Sequence, residues 1–78
     1  MARVRYFAAA EEAAGLEEEL RAEATLGALR EALAAEHPAL GAILPRCAVL
    51  VAGSRTEDPA TALAPDALVD VLPPFAGG

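Results

Sequence analysis

Leu68-Val69-Asp70-Val71-Leu72-Pro73-Pro74-Phe75-Ala76-Gly77-Gly78 runs from an apolar strand pattern, through two prolines, into a terminal diglycine. Apolar residues on both faces of 68–72 predict a central strand, with Asp70 near an exposed end. Pro73 fixes its own φ and has no N–H for a ladder, and each proline pushes the preceding residue toward extended geometry, so the sheet should stop near Leu72. Residues 73–78, at roughly 3.3–3.6 Å each, would then carry the terminus about 20 Å from the body as an extended, flexible tail.

Gly77 and Gly78 have no Cβ, so the last backbone could pass through a narrow channel and leave the terminal carboxylate unhindered. The expectation is that function sits on that main-chain group. A terminal carboxylate is anionic at neutral pH, with a pKa of about 3.3–3.7, and is a poor electrophile, so it would need activation, by ATP in a partner's active site. Pro73, Pro74, Phe75 and Ala76 would line the path into the partner.

Working back through the chain, Arg3-Val4-Arg5-Tyr6-Phe7-Ala8 alternates, with Val4, Tyr6 and Ala8 on one face and the arginines on the other, as a first half-buried strand would. Ala9 to Ala14 favours a short helix and Gly15 a turn. Leu16 to Ala22 reads as the solvated hairpin partner, with Leu16 and Leu20 on one face. Thr25 is placed to cap the main helix, whose Leu26, Leu29 and Leu33 recur at helical spacing down to Glu36 before His37-Pro38 ends it. Leu40, Ile43 and Leu44 form an apolar connection expected to cover one end of the sheet. Cys47 to Val51 is a clear strand, Ala52-Gly53-Ser54 a turn, Arg55-Thr56 a short edge strand, and Leu63 an isolated core anchor.

The 78 residues make a single domain, 1–78, too short to hold a full enzyme cleft with its own substrate site. A net charge of −6 argues against nucleic acid and favours a protein partner with a basic face. No apolar run approaches the roughly 18 residues needed to span a membrane, and the start lacks a secretory signal, so the expected location is cytoplasmic. Cys47, the single cysteine, reads as a structural thiol. His37 has no cysteine or second histidine near it in sequence, so no metal site is expected. No nucleophile–base pair or phosphate loop can be assembled, which disfavours an autonomous enzyme.

This order of strands and helix, ending in a buried strand that releases a diglycine, resembles the ubiquitin-like β-grasp fold: α+β, a mixed four- to five-stranded sheet packed on one main helix. Within it, Val4-Arg5-Tyr6-Phe7-Ala8 with Glu12-Ala13-Ala14-Gly15, and above all Leu72-Pro73-Pro74-Phe75-Ala76-Gly77-Gly78, resemble the small subunit of molybdopterin synthase. Two turns depart from that family's pattern: Ala52-Gly53 stands where Asn-Gly is common, and Asp66-Ala67 where Gly-Asp is common.

The resemblance implies a sulfur carrier with no bound cofactor. A ubiquitin-activating-like adenylyltransferase would use ATP to adenylate Gly78. A sulfur donor of the cysteine desulfurase or rhodanese type would convert the adenylate to a thiocarboxylate, and the large catalytic subunit of molybdopterin synthase would accept the sulfur. Carriers for thiamine or transfer-RNA thiolation, ubiquitin-like modifiers, and plain interaction domains share this body plan.

Overall fold

A computed structural model describes residues 1–74. The elements run β1 (Ala2–Tyr6), α1 (Ala9–Ala14), β2 (Glu18–Arg21), α2 (Leu26–Glu36), α3 (Pro38–Ile43), a 3-10 turn (Leu44–Arg46), β3 (Ala48–Val51), β4 (Ser54–Arg55) and β5 (Leu68–Leu72). The five strands form one mixed sheet in the order β2-β1-β5-β3-β4. β5 lies at its centre, parallel to β1 and antiparallel to β3, as its two-sided apolar pattern predicted.

Alternation in β1 buries Ala2, Val4 and Tyr6 and turns Arg3 and Arg5 to the opposite face. Ala8 does not continue that pattern. The last link to β5 is the Phe7 N–H donating to the Val71 carbonyl, after which Ala8 turns away at φ 50° and its carbonyl accepts from Glu11 and Glu12 to open α1. Gly15, at φ 80°, closes α1 in the left-handed conformation that suits a residue without Cβ.

β2 pairs with β1 as expected, but Leu16 and Leu20 part company. Leu16 precedes the strand and packs against the core, whereas the register Arg3↔Leu20 puts Leu20 among the arginines, where it is 55% exposed.

α2 spans the expected residues. Thr25 Oγ1 accepts from the Ala28 N–H, His37 N–H donates to the Leu33 carbonyl at the far end, and Leu26, Leu29 and Leu33 are all buried. Pro38, placed where its missing N–H costs nothing, starts α3 at once. The Leu40 to Leu44 segment is therefore helical and packs on α1 and α2 rather than capping the end of the sheet. Its close approach to α2 occurs at Gly41, where a Cβ would sit 3.1 Å from the Ala34 Cα.

The core lies between α2 and the sheet face formed by Val4, Tyr6, Val49, Val69 and Val71, with Leu63 buried at its margin as the anchor the sequence indicated. Leu63 is held by its N–H to the Ala24 carbonyl.

The β3–β4 hairpin turns on Ala52 at φ 52° and Gly53 at φ 83°. Two successive positive φ values in a two-residue loop define the turn for which Asn-Gly is the preferred sequence, so alanine here holds a conformation costly to a Cβ. Ala52→Asn is expected to stabilise the fold by roughly 0.5–1 kcal/mol, measured by denaturant unfolding. An unchanged or lowered midpoint would contradict this reading of the turn.

Candidate functional site

Cross-strand partners share a face, so the register also defines the side of the sheet turned away from α2. The row Glu18–Arg5–Asp70–Leu50–Arg55 crosses it, with Leu20–Arg3–Leu68 on one side and Leu72–Ala48 on the other. Phe7, Leu50, Leu68 and Leu72 are half-buried there, with no helix over them among the described residues.

At the centre, Arg5 Nε donates to Asp70 Oδ1 at 2.7 Å and its Nη2 to Oδ2 at 2.9 Å, a two-point ion pair joining β1 to β5. The guanidinium carbon lies 5.6 Å from the centroid of the Phe7 ring. The bonds to Asp70 hold the Arg5 pKa above its usual value. Asp70 thus sits mid-strand and is only 14% exposed; the sequence reading near an exposed end is corrected, because a charge in a central strand is tolerated when a cross-strand partner takes both oxygens.

Leu72 is the last paired residue of β5 among the described ones, opposite Ala48, so the strand stops where the prolines begin. Pro73 is buried and Pro74 exposed. The other predicted site residues, Phe75, Ala76, Gly77 and Gly78, lie outside the described residues.

A second charged cluster lies on the helix side. Glu19 Oε2 accepts from Tyr6 at 2.6 Å and lies 3.1 Å from His37 Nε2, while Arg21 donates to Glu19, Glu23 and Glu36. Glu19, Glu36 and His37 present ligand-type atoms within 4.8 Å of one another, a juxtaposition invisible in sequence because Glu19 reaches His37 only through the β1–β2 pairing. The guanidinium of Arg21 already bonds these carboxylates, which makes the cluster a strut between β2 and the end of α2.

Burial and the bond to Glu19 push the Tyr6 phenol up. Burial raises the Glu19 carboxyl too, but hydrogen bonds from Tyr6, Arg21 and His37 together bring it below 4.5. Bonds from Arg21 lower Glu23 and Glu36 likewise. Carboxyls depressed in the fold stabilise it above their unfolded pKa and lose that contribution as pH falls through the folded value. The melting temperature should therefore stay nearly level from neutral pH to about 5 and decline below roughly 4.5. A flat profile down to pH 3 would contradict the network.

Cys47 is buried, its Sγ 3.4 Å from the Ile43 carbonyl, and burial raises its pKa, which keeps it a protonated thiol. Its contacts and those of His37 are separate, so these two do not form a nucleophile–base pair. Cys47→Ala should leave any chemistry at the terminus intact; loss of terminal activation in a folded variant would restore the thiol to the mechanism. A recess of about 260 Å³ bounded by Met1, Ala24, Leu63 and Pro65 lies at the start of β1, the end of the sheet opposite the exit of β5.

The fold has counterparts in known proteins. The model of the ThiS family matches residues 4–78. Among solved structures, the small archaeal modifier protein SAMP1 from Haloferax volcanii is 26% identical, with TM-score 0.78 over 99% of this chain and 98% of that one. Subunit 1 of the molybdopterin-converting factor of Helicobacter pylori, solved in complex with subunit 2, represents a similar case: 26% identity, TM-score 0.76, and coverage of 99% and 97%. Small archaeal modifier protein 1 from Methanosarcina acetivorans, at 23% identity and TM-score 0.85 over 99% and 95%, shares the fold. No curated protein sequence matches the chain. With a ubiquitin-like β-grasp fold and a family match over nearly its whole length, the chain belongs to the ThiS family of small sulfur carriers.

Proposed function

We propose that the chain is the sulfur-carrying small subunit of a molybdopterin synthase, with Gly78 as the point of attachment. The observation that carries this reading is the central strand β5, whose ladder ends at Leu72 and which leads in sequence into Pro73-Pro74 and the diglycine.

In this reading the Gly78 carboxylate attacks the α-phosphate of ATP in an adenylyltransferase, pyrophosphate leaves, and the acyl-adenylate forms. The persulfide of a cysteine desulfurase or rhodanese-type donor attacks the acyl carbon and displaces AMP, and a second thiol then attacks the donor's sulfur, leaving the donor as a disulfide and releasing a thiocarboxylate, nucleophilic where the carboxylate was inert. The large subunit then accepts that sulfur for the dithiolene of molybdopterin and supplies the active site; this chain supplies the platform and the reacting terminus. Pro73, Pro74, Phe75 and Ala76 guide the tail into it. The chain acts in the cytoplasm, binds no cofactor of its own, and meets ATP only in the activating enzyme.

The likeness to a complex of subunits 1 and 2 supports a large-subunit partner. The likeness to small archaeal modifiers favours a second reading, in which the activated terminus is passed to lysines of other proteins. This chain has no lysine of its own, so it could be attached to others but could not build lysine-linked chains on itself. Reconstitution separates the two. With purified adenylyltransferase, sulfur donor and large subunit, the proposal expects pyrophosphate release that depends on this chain and sulfur delivered to a molybdopterin precursor. Conjugates to lysine with no sulfur delivered would favour the modifier, and no pyrophosphate release would exclude both.

A further inference from the structure

The Arg5–Asp70 pair lies at the centre of the open face, among Phe7, Leu50, Leu68 and Leu72, with Arg3, Glu18 and Arg55 toward its edges. A guanidinium has five N–H donors, and Asp70 takes one from Nε and one from Nη2. Asp70 accepts on both oxygens and is already mostly covered, whereas Arg5 is 41% exposed, with its remaining donors open to water. A partner that covered the face with apolar side chains alone would strip that water and leave charged donors unsatisfied, which costs more than the apolar contact around them would gain.

The rest of the face points the same way. Its strand positions hold Arg3, Arg5 and Arg55 against Glu18 and Asp70, three positive charges to two negative, an excess of one. The whole chain carries −6, so the remainder holds −7. The acidity read from composition therefore belongs to the helix side and the loops, and a basic-faced partner would be drawn there rather than to the sheet.

We propose that the open sheet face is specific for a protein partner that sets a carboxylate, within an apolar surface, over the free edge of Arg5. This rests on the sulfur-carrier reading above and names the chemistry of the partner's contact surface. Arg5 is in this sense a specificity residue: the two-point bond to Asp70, beside Phe7, fixes its guanidinium, so the remaining donors point along set directions.

The test is to make the face more apolar and ask whether binding tightens or weakens. Arg5→Leu combined with Asp70→Leu removes both charges together, a replacement that well-packed sheets tolerate, and unchanged folding is verified by its melting temperature and amide NMR spectrum. Dissociation constants are measured against two purified probes, the large synthase subunit and the adenylyltransferase. Weakening of roughly tenfold to a hundredfold for at least one of them is expected, despite the added apolar area. The swapped pair Arg5→Asp with Asp70→Arg keeps an ion pair but moves the donors one strand over, and should not restore affinity. Equal or tighter binding of the leucine double variant to both probes, or full affinity of the swapped pair, would overturn the inference and leave the carrier reading standing. Failure of the unaltered chain to bind either probe would overturn both.

Discussion

Adding a single alanine after Gly78, or deleting Gly78, is expected to abolish adenylation by the activating enzyme while leaving the melting temperature unchanged. The chemistry is assigned to one main-chain carboxyl group, and a shift of one residue moves it by roughly 3.3–3.6 Å, more than a reacting atom tolerates. The body should not register the change, because the paired part of β5 ends at Leu72, six residues before the terminus. Pyrophosphate release and thermal melts on the same preparations check both halves. Normal activation of the extended chain would place the reacting group elsewhere, and a lowered melting temperature would mean that the terminus helps hold the fold.

The opposite pattern is expected of Leu29→Ala. Leu29 is 1% exposed at the middle of the stripe that α2 lays on the sheet. Its truncation removes buried methyl groups and leaves a cavity, at a cost of about 2–5 kcal/mol. A domain of this length is stable by roughly 0.05–0.15 kcal/mol per residue, so this one change takes a large share of the total. Function should fall only as far as the folded fraction does, with the surviving folded molecules activated normally. Denaturant unfolding alongside activation at low temperature separates the two. A loss under about 1 kcal/mol would mean that the site collapses around the gap.

What the sequence made legible follows from which signals are local. The helix from Leu26 to Glu36 carries its own cap, its own stripe and its own stop at His37-Pro38, and the structure reproduces it. The central place of β5 could be read because a strand apolar on both faces has few other places to lie. The errors arose where a distant neighbour decides. Ala8 matches the alternation of β1, yet the last bond to Val71 falls at Phe7 and the chain must turn into α1 there. Leu20 looks like core beside Leu16, but pairing with Arg3 sets it on the open face.

Asp70 looked like a strand end because nothing near it in sequence neutralises it; its partner is 65 residues away. The same holds for the site. The tail was legible as a composition, whereas the open sheet face, with Arg5 held against Asp70, exists only once β1 lies parallel to β5. The departure from Asn-Gly at Ala52-Gly53 proved to be a difference of residue and not of turn, since both positions keep positive φ.

The central claim is that Gly78 carries sulfur, and the intact mass of the chain purified from its own cells tests it most directly. The account predicts a fraction heavier than the sequence by the difference between one sulfur and one oxygen atom, localised by fragmentation to Gly78 and lost when the sulfur donor is deleted. A terminus found only as carboxylate while the activating enzyme and donor are present and active, or the added sulfur located on Cys47, would contradict it.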